Sequence, residues 1–203
     1  MSIINYYNKE AKQYNEKFSR GLLGWMRQSE RRVIYDLLNP CHGENILDAG
    51  CGSGFDMIRL KSYGSNLKGV DLNHGMVAAA RERGLDVLQG ALEDFALHEL
   101  FDKILCAGVF EFCTNHHKIL LNLKKHLNPK GELILFMPRS NTLGKLYKLY
   151  HWFNKNKITL FSLDQIHRLC GDAGLAVVTI EKAGPFGWAA RIKSKQCDNA
   201  LIS

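Results

Sequence analysis

The sequence has no long apolar run, and this absence excludes an ordinary membrane-spanning protein. A membrane-spanning helix needs about 20 consecutive apolar residues, and no stretch of the 203 residues approaches that length. Residues 1–20 are polar and aromatic and contain no apolar core typical of a secretory signal. We therefore expect a cytoplasmic protein.

Closely spaced cysteine pairs are also missing. The chain has six cysteines, but no two of them stand three positions apart, so there is no CxxC pair. Such pairs are typical of zinc sites and of redox centres. We therefore expect neither a metal site nor an iron–sulfur cluster.

Acidic residues are scarce in the C-terminal half. Residues 1–102 carry 12 Lys/Arg against 14 Asp/Glu, whereas residues 103–203 carry 15 against 6. No acid lies between Glu132 and Asp164, a stretch with five cations. Such a local excess indicates either an anionic partner or a solvated face.

What the chain does contain is an alternation of short apolar runs with helical segments. Such alternation predicts parallel βαβ units, with helices on both faces of a doubly wound α/β sheet. Ligands of such sheets bind at the carboxyl ends of the strands. We expect one domain over residues 1–203. The predicted strands are 45–49, 67–72, 85–89, 103–108 and 132–137, and the predicted helices are 2–18, 23–38, 55–63, 74–83 and 115–126.

The C-terminal segment has a different pattern. Ser162 and Gln165 form a capping-box pattern for a helix that ends near Gly174. Two strands are predicted after it, at 176–182 and 188–193, and so short a connection permits only antiparallel pairing. The predicted fold is thus a mostly parallel, seven-stranded sheet with an antiparallel C-terminal hairpin.

The most informative motif is the glycine-rich loop after the first predicted strand, Asp48-Ala49-Gly50-Cys51-Gly52-Ser53-Gly54. Glycine lets a backbone approach a ligand closely. A phosphate-binding P-loop is excluded because no lysine follows Gly54, and a dinucleotide fingerprint is excluded because Phe55 stands where glycine is required. The second strand ends at Asp71, and a carboxylate there can accept hydrogen bonds from both hydroxyls of a ribose.

In these features the chain resembles the class I S-adenosylmethionine-dependent methyltransferases. The matching segments, in this order, are ILDAGCGSG, GVDLN, the stretch Leu92–Asp94, FDKILCAGVFEF and LNPKGELILFMP. The resemblance implies a Rossmann-like fold and S-adenosylmethionine as the cofactor, with S-adenosylhomocysteine as the product.

The resemblance also implies a role for individual residues. Asp48, Gly50 and Gly52 would line the methionine part of the cofactor, and Asp71 would bind its ribose. The adenine would meet Leu72, Ala91 and Leu92, and Ala107 would lie near the amino group. Many relatives have aspartate where Ala91 stands, so Glu93 or a backbone carbonyl must bind the adenine amine here.

Within that family, the chain looks most like the methyltransferases of ubiquinone biosynthesis. That branch shares Glu111 but usually has histidine where this chain has Phe112. A hydroxyl acceptor needs a general base, and the candidates are Glu111, His116, His117 and His151. Each histidine taken alone is more simply explained as an exposed or capping residue.

Residues 139–161 are the predicted substrate-lid insertion. Its apolar residues Leu143, Leu146, Tyr147, Tyr150 and Phe153 recur at helical spacing, and lysines lie elsewhere on the same helix. Two interpretations stay open: a lid packed on the domain with wetted lysines, or peripheral contact with an anionic membrane. Residues 1–40 are predicted to form an N-terminal helical cover, whose Tyr6, Tyr7 and Tyr14 either close over the cofactor or pack on the core.

The sequence therefore predicts a methyltransferase that acts on a small, apolar or aromatic acceptor. One alternative is an RNA or nucleotide methyltransferase, suggested by the basic C-terminal half, although the Asn/Asp-Pro-Pro-aromatic motif of base methylation is absent and nucleic acid is an unlikely partner. The other is a non-catalytic S-adenosylmethionine-binding protein. The acceptor atom and the oligomeric state stay undetermined.

Overall fold

A computed structural model describes residues 21–195, with side chains from residue 24 onward. The predicted helix 2–18 and its three tyrosines lie outside the described residues. The described helices are α1 (Gly21–Leu38), α2 (Phe55–Lys61), α3 (His74–Glu82), α4 (His116–Lys125), α5 (Thr142–Phe153) and α6 (Leu163–Asp172). The strands are β1 (Asn45–Ala49), β2 (Asn66–Asp71), β3 (Val87–Gln89), β4 (Phe101–Ala107), β5 (Leu127–Pro138), β6 (Leu175–Ala183) and β7 (Gly187–Ser194).

The seven strands form one sheet in the order β3-β2-β1-β4-β5-β7-β6. Strands β1 to β5 pair in parallel, whereas β7 pairs antiparallel with both β5 and β6. The predicted fold class is confirmed, including the C-terminal hairpin. The main difference is β5, which begins five residues earlier than predicted because Leu127 already pairs with Phe101 of β4.

The central strands are apolar on both faces, and this explains why helices cover the sheet on two sides. Alternate residues of a strand point to opposite faces. Leu47 and Ile104 accordingly pack in one core layer with α4 and α6, whereas Ile46, Leu105 and Ile134 pack in another with α1. This two-sided burial places the sheet at the centre of the described structure.

The parallel strands end at a common edge, and the chain reverses direction there at each connection. Strand order changes direction between β1 and β4, which come first and fourth in the chain but lie side by side. Crevices at such switch points are where open α/β sheets bind ligands. The glycine-rich loop follows β1, and a 3₁₀ turn at Phe110–Phe112 follows β4. The two loops therefore face the same crevice.

Helix α5 confirms the helix predicted within 139–161, and most of its apolar stripe is exposed. Asn141 caps its first turn, and Gly144 lies so close to the body that an added Cβ would be 1.8 Å from the carbonyl oxygen of Arg139. Of the five apolar residues at helical spacing, only Tyr147 is half-buried, and the other four are exposed. The helix packs through Gly144, Tyr147 and His151, so the stripe points away from the protein.

None of the helices in residues 21–195 has the length and hydrophobicity to cross a membrane.

Candidate functional site

The glycine-rich loop is attached to β2 and packs closely against the loop after β4. The amides of Gly50 and Cys51 both donate to the carbonyl of Val70, at 2.7 and 3.1 Å. Gly50 has a φ of +85°, and a Cβ at that position would lie 2.5 Å from Cγ1 of Val109. Only glycine meets both constraints. The narrow passage between β1 and β4 thus requires the glycine that the motif supplies.

Asp71, the predicted ribose ligand, is held rigidly at the end of β2. Its two carboxylate oxygens accept hydrogen bonds from the amides of Gly52 and Asn73, each at 2.8 Å. Burial raises the pKa of Asp71, and these two hydrogen bonds lower it. Each oxygen keeps a second lone pair for a ligand hydroxyl. Leu72, the predicted adenine neighbour, follows directly and is 53% exposed.

Asp48 is a buried carboxyl group that lacks part of its hydrogen bonding. It ends the apolar run of β1, is 4% exposed, and its Oδ2 has no hydrogen-bond partner in the described structure. Burial raises the pKa of Asp48 well above its usual value, and the nearby carboxyls of Asp56 and Asp71 raise it further. A buried oxygen without a partner is unfavourable. A ligand with a donor or positive charge fits this position.

Ala91 and Leu92 lie beyond β3, but their carbonyl groups already have partners. The Ala91 carbonyl accepts from the amides of Asp94 and Phe95, and the Leu92 carbonyl accepts from the side chain of Asn122 at 3.2 Å. The Leu92 carbonyl keeps a second lone pair, so both this carbonyl and the half-buried Glu93 are acceptors for an adenine amine. Ala107, the remaining predicted cofactor residue, ends β4 and is half-buried.

Glu111 sits in the 3₁₀ turn after β4 and is 3% exposed. Its Oε2 has no hydrogen-bond partner in the described structure. Burial raises the pKa of Glu111 to about 7, while its own backbone amide and Arg27 lower it and Glu30 raises it. A carboxyl group with such a pKa can accept a proton near neutral pH.

His151 points from α5 toward the same turn. Its ring is 9% exposed and meets the rings of Phe112 and Tyr147 edge-on, at 5.4 and 4.5 Å between centroids. Its Nδ1 lacks a hydrogen-bond partner within residues 21–195. Burial lowers the pKa of His151 to about 4, and the charge of Arg27 lowers it further, so the ring is neutral at physiological pH.

The other two histidine candidates have structural contacts. Nε2 of His116 lies 3.0 Å from the Phe110 carbonyl oxygen, and its ring packs on Phe110 and Phe161. His117 is exposed, and its Nε2 lies 3.3 Å from the carbonyl oxygen of Asp172. Both rings therefore connect α4 to neighbouring elements.

Arg27 and Glu30 of α1 were missed by the sequence analysis. Arg27 affects the pKa of Glu30, Glu111 and His151, so its positive charge lies near all three groups. Burial raises the pKa of Glu30 to about 7, against the charges of Arg27 and Arg31. No local motif marks these residues, because α1 reaches the site only by packing on the sheet.

Arg31 of α1 pairs with a carboxylate of the next helix. Its Nε lies 2.9 Å from Oδ1 of Asp56, and its guanidinium stacks over the ring of Phe55 at 4.3 Å from the centroid. The hydroxyl of Tyr35 donates to the same carboxylate at 2.7 Å. Helix α1 is thereby attached to the helix that follows the glycine loop.

A cavity of about 710 Å³ lies at the opposite edge of the sheet, where the parallel strands begin. Three of its charged residues, Glu44, Asp102 and Lys103, have hydrogen-bond partners within the protein. Nζ of Lys103 donates to the Asn39 carbonyl at 2.6 Å and to Glu44 at 2.9 Å, and Asp102 accepts from the Asn45 amide at 2.9 Å. Among the described residues, five buried side-chain polar atoms have no hydrogen-bond partner, and only Nε of Arg191 belongs to this cavity. The other four belong to Asp48, Glu111, Arg139 and His151, which lie toward the carboxyl edge, so that edge is the candidate site.

Comparisons with known proteins agree with this geometry. Residues 47–135 match the family model described as a methyltransferase domain. The chain is 31% identical over 157 residues to a ubiquinone biosynthesis O-methyltransferase of Rickettsia canadensis. The aligned region covers 66% of this chain and 64% of that protein. It is 29% identical over 171 residues to the protein of the same name from Rickettsia typhi, covering 74% of this chain and 65% of the relative. The chain thus spans slightly less than two thirds of these relatives.

A solved structure shows the same fold. Magnesium protoporphyrin IX methyltransferase from Synechocystis, with bound S-adenosylhomocysteine, superposes with a TM-score of 0.74. The superposition covers 95% of this chain and 98% of that one, at 16% identity.

Proposed function

We propose that the protein, whose residues 47–135 match the methyltransferase domain model, transfers a methyl group from S-adenosylmethionine to a small-molecule acceptor. The acceptor is apolar or aromatic and is methylated on a hydroxyl oxygen. The hydroxyl is supported by the relatives, which are O-methyltransferases by name. The aromatic preference is supported by the rings of Phe112 and Tyr147 around His151.

The observation that carries the proposal is the buried Oδ2 of Asp48, which lacks a partner beside the glycine loop. Oδ2 of Asp48 would accept a hydrogen bond from the amino group of the cofactor's methionine part. Asp71, aligned by the amides of Gly52 and Asn73, binds the ribose hydroxyls through its remaining lone pairs. The residues present therefore fit the cofactor.

Little acid–base chemistry is needed for the methyl donor itself. When bound, S-adenosylmethionine supplies a methyl group already activated by its sulfonium charge. The chain's contribution is to position the acceptor in line and to exclude water. Gly50 serves this by letting the loops after β1 and β4 approach each other.

A hydroxyl acceptor must also lose a proton, and we assign that proton to Glu111. Its Oε2 is buried and without a partner in the described structure, and its pKa of about 7 suits proton transfer near neutrality. Arg27 limits how far this pKa rises, since its positive charge favours the ionised carboxylate. His151, neutral and packed on Phe112, is placed to orient the acceptor through Nδ1.

We also propose that residues 1–203 form a single domain and that segment 139–161 covers the acceptor. The cover is supported by the inward residues of α5, which include Tyr147 and His151. Its attachment is supported by the hydrogen bonds from the Ser140 amide to the Phe161 carbonyl and from the Thr159 amide to the Glu111 carbonyl, both 2.9 Å.

The experiment combines cofactor binding with product detection. Calorimetry should detect binding of S-adenosylhomocysteine, and mass spectrometry should detect a mass increase of one methyl group on a panel of phenols. The panel should include matched anilines and thiophenols, since methylation of these alone would contradict the hydroxyl assignment. Absence of cofactor binding would overturn the proposal, and binding without any turnover would favour a non-catalytic protein.

A further inference from the structure

Arg191, in the middle of β7, is a half-buried cation that the folded chain leaves without a partner. Its Nε is shielded from solvent but has no hydrogen-bond partner in the described structure. The rest of its guanidinium also forms no hydrogen bond or ion pair with any described residue. Because buried N–H groups are nearly always hydrogen-bonded, we expect the partner of this group to come from outside the chain.

The guanidinium lines the cavity at the edge of the sheet where the parallel strands begin. Lys103 of β4 pairs in register with Glu132 of β5, which in turn pairs with Lys193 of β7. Arg191 is two residues from Lys193 and therefore points to the same face of the sheet. These four residues form a charged row across three neighbouring strands, and the loop 39–44 borders the same cavity.

Within this charged row, the two lysines have acidic partners and Arg191 does not. Nζ of Lys103 lies 2.9 Å from Oε2 of Glu44, and Nζ of Lys193 lies 3.0 Å from Oε1 of Glu132. Arg191 is therefore the cation left over among the described residues of the row. A bound anion beside it would balance its charge.

Two carboxylates of the cavity keep oxygens that can accept further hydrogen bonds. In the described structure Glu44 receives its hydrogen bonds through Oε2, and Glu132 meets Lys193 through Oε1. An ionised carboxylate only accepts hydrogen bonds, so the second oxygen of each group suits a hydroxyl donor. The cavity therefore combines one free cation with several acceptors.

We propose that this cavity is a second binding site, for a small hydroxylated compound that carries one phosphate or carboxylate group. The oxyanion accepts parallel hydrogen bonds from the guanidinium of Arg191, a geometry that arginine forms with both groups. Hydroxyls of the same compound donate to Glu44 and Glu132. The volume of about 710 Å³ lies within the range of about 300–1,000 Å³ that is usual for small-molecule sites.

A longer polyanion such as a nucleic acid fits this cavity poorly. A single oxyanion meets Arg191, whereas further phosphates would approach the carboxylates of Glu44, Asp102 and Glu132 and be repelled. The proposed cofactor site lies at the opposite edge of the sheet. The second site is therefore separate from it, and the proposal does not depend on methyl transfer.

The test is an NMR titration of the full chain that follows the Nε–Hε signal of Arg191. The probes are ribose 5-phosphate and gluconate, and their relative affinities show which oxyanion the site prefers. Inorganic phosphate lacks the hydroxylated part and ribose lacks the oxyanion. We expect each of these two to bind at least about tenfold more weakly than the preferred probe, since each loses hydrogen bonds to charged groups.

Variants of Arg191 show whether binding uses this guanidinium. Arg191→Gln should weaken binding of the preferred probe by about 10- to 100-fold, measured from the backbone amide signals of Lys103 and Glu132. Arg191→Lys keeps the charge but not the parallel N–H donors, so we expect an intermediate affinity. The control is Arg168→Gln, which removes one exposed arginine of α6 and should bind like the original protein.

An unchanged thermal unfolding curve shows that each variant is folded, and Arg191→Lys provides the comparison if Arg191→Gln does not fold. The proposal is overturned if neither ribose 5-phosphate nor gluconate shifts the Arg191 signal at millimolar concentration. Equal affinities of the Arg191 variants and Arg168→Gln, or inorganic phosphate binding as tightly as the preferred probe, would also overturn it. Calorimetry with S-adenosylhomocysteine should give the same affinity for all variants, so the proposed function is tested separately.

Discussion

The ring of His151 meets the ring of Phe112 edge-on, with their centroids 5.4 Å apart. Phe112 occupies the position after Glu111 where the resembling methyltransferases usually have histidine. An imidazole is therefore present near this turn, but it comes from α5 and not from the turn itself. Glu111 and His151 are 40 positions apart in the chain, and the contact with Phe112 brings the imidazole beside the turn that carries Glu111.

Replacing Asp71 tests the ribose assignment. Asp71→Asn keeps the shape of the side chain but removes a charged acceptor, and such hydrogen bonds contribute about 1.5–3 kcal/mol. We expect calorimetry to show cofactor binding weakened by about 10- to 100-fold. Asp86→Asn is the control, because its carboxylate lies 3.3 Å from Lys68 on the surface and away from the glycine loop. Equal affinities for both variants would contradict the assignment.

Replacing Glu111 tests the proton acceptor. A general base contributes about 100- to 10,000-fold, so Glu111→Gln should lower kcat by at least about 100-fold with little effect on cofactor affinity. In the unaltered protein, kcat/KM should rise as pH passes through about 7, because Glu111 is protonated below that pH. Glu30→Gln should move this midpoint to lower pH, since the charge of Glu30 raises the pKa of Glu111. A pH profile that Glu111→Gln leaves unchanged would exclude Glu111 as the base.

The same carboxyl group makes stability depend on pH. The pKa of Glu111 is about 7 in the folded chain against 4.5 as its ordinary value, so the folded state binds the proton more tightly. This contribution to stability is present below pH 4.5 and is lost as pH rises through 7, by up to about 3 kcal/mol. Glu111→Gln should therefore reduce the difference in Tm between pH 5 and pH 8. An undiminished difference would show that another group, such as Glu30, causes it.

Two glycines separate the energetic cost of crowding between the loops after β1 and β4 from the cost of backbone strain. Gly50 and Gly84 both have positive φ, but a Cβ at Gly50 would collide with Val109, whereas a Cβ at Gly84 would meet nothing within 4 Å. Gly84→Ala should cost about 1 kcal/mol for the backbone alone. Gly50→Ala should cost about 1–3 kcal/mol more for overpacking and should also weaken cofactor binding. Denaturant unfolding of both variants measures the difference, and equal losses would contradict the packing argument.

The predicted elements of the sheet agree with the structure because their signals are local. A short apolar run such as 45–49 predicts a strand from neighbouring residues alone, and the Gly184–Pro185 turn is recognised in the same way. The observed β1 has the predicted bounds. The capping box of Ser162 and Gln165 is present as predicted. Local backbone preference and burial on both faces of the sheet are sufficient for these features.

The orientation of α5 was not predictable in the same way. Its apolar periodicity predicts a helix with an apolar face, but periodicity does not say whether that face meets protein or another environment. Gly144 decides this, because it lets the backbone of the helix lie close to the carbonyl oxygen of Arg139. Most of the apolar stripe, for which packing on the domain and contact with a membrane both stayed open, is thereby exposed.

The sequence alone determined the fold, the glycine loop and the position of Asp71 at a strand end, because each depends on residues close together in the chain. Tertiary structure decided which side chains surround the proposed acceptor site. Arg27, Glu111 and His151 come from three separate elements, and only the packing of α1 and α5 around the end of β4 brings them together. Their pKa values follow from that burial, since desolvation is a property of the folded chain.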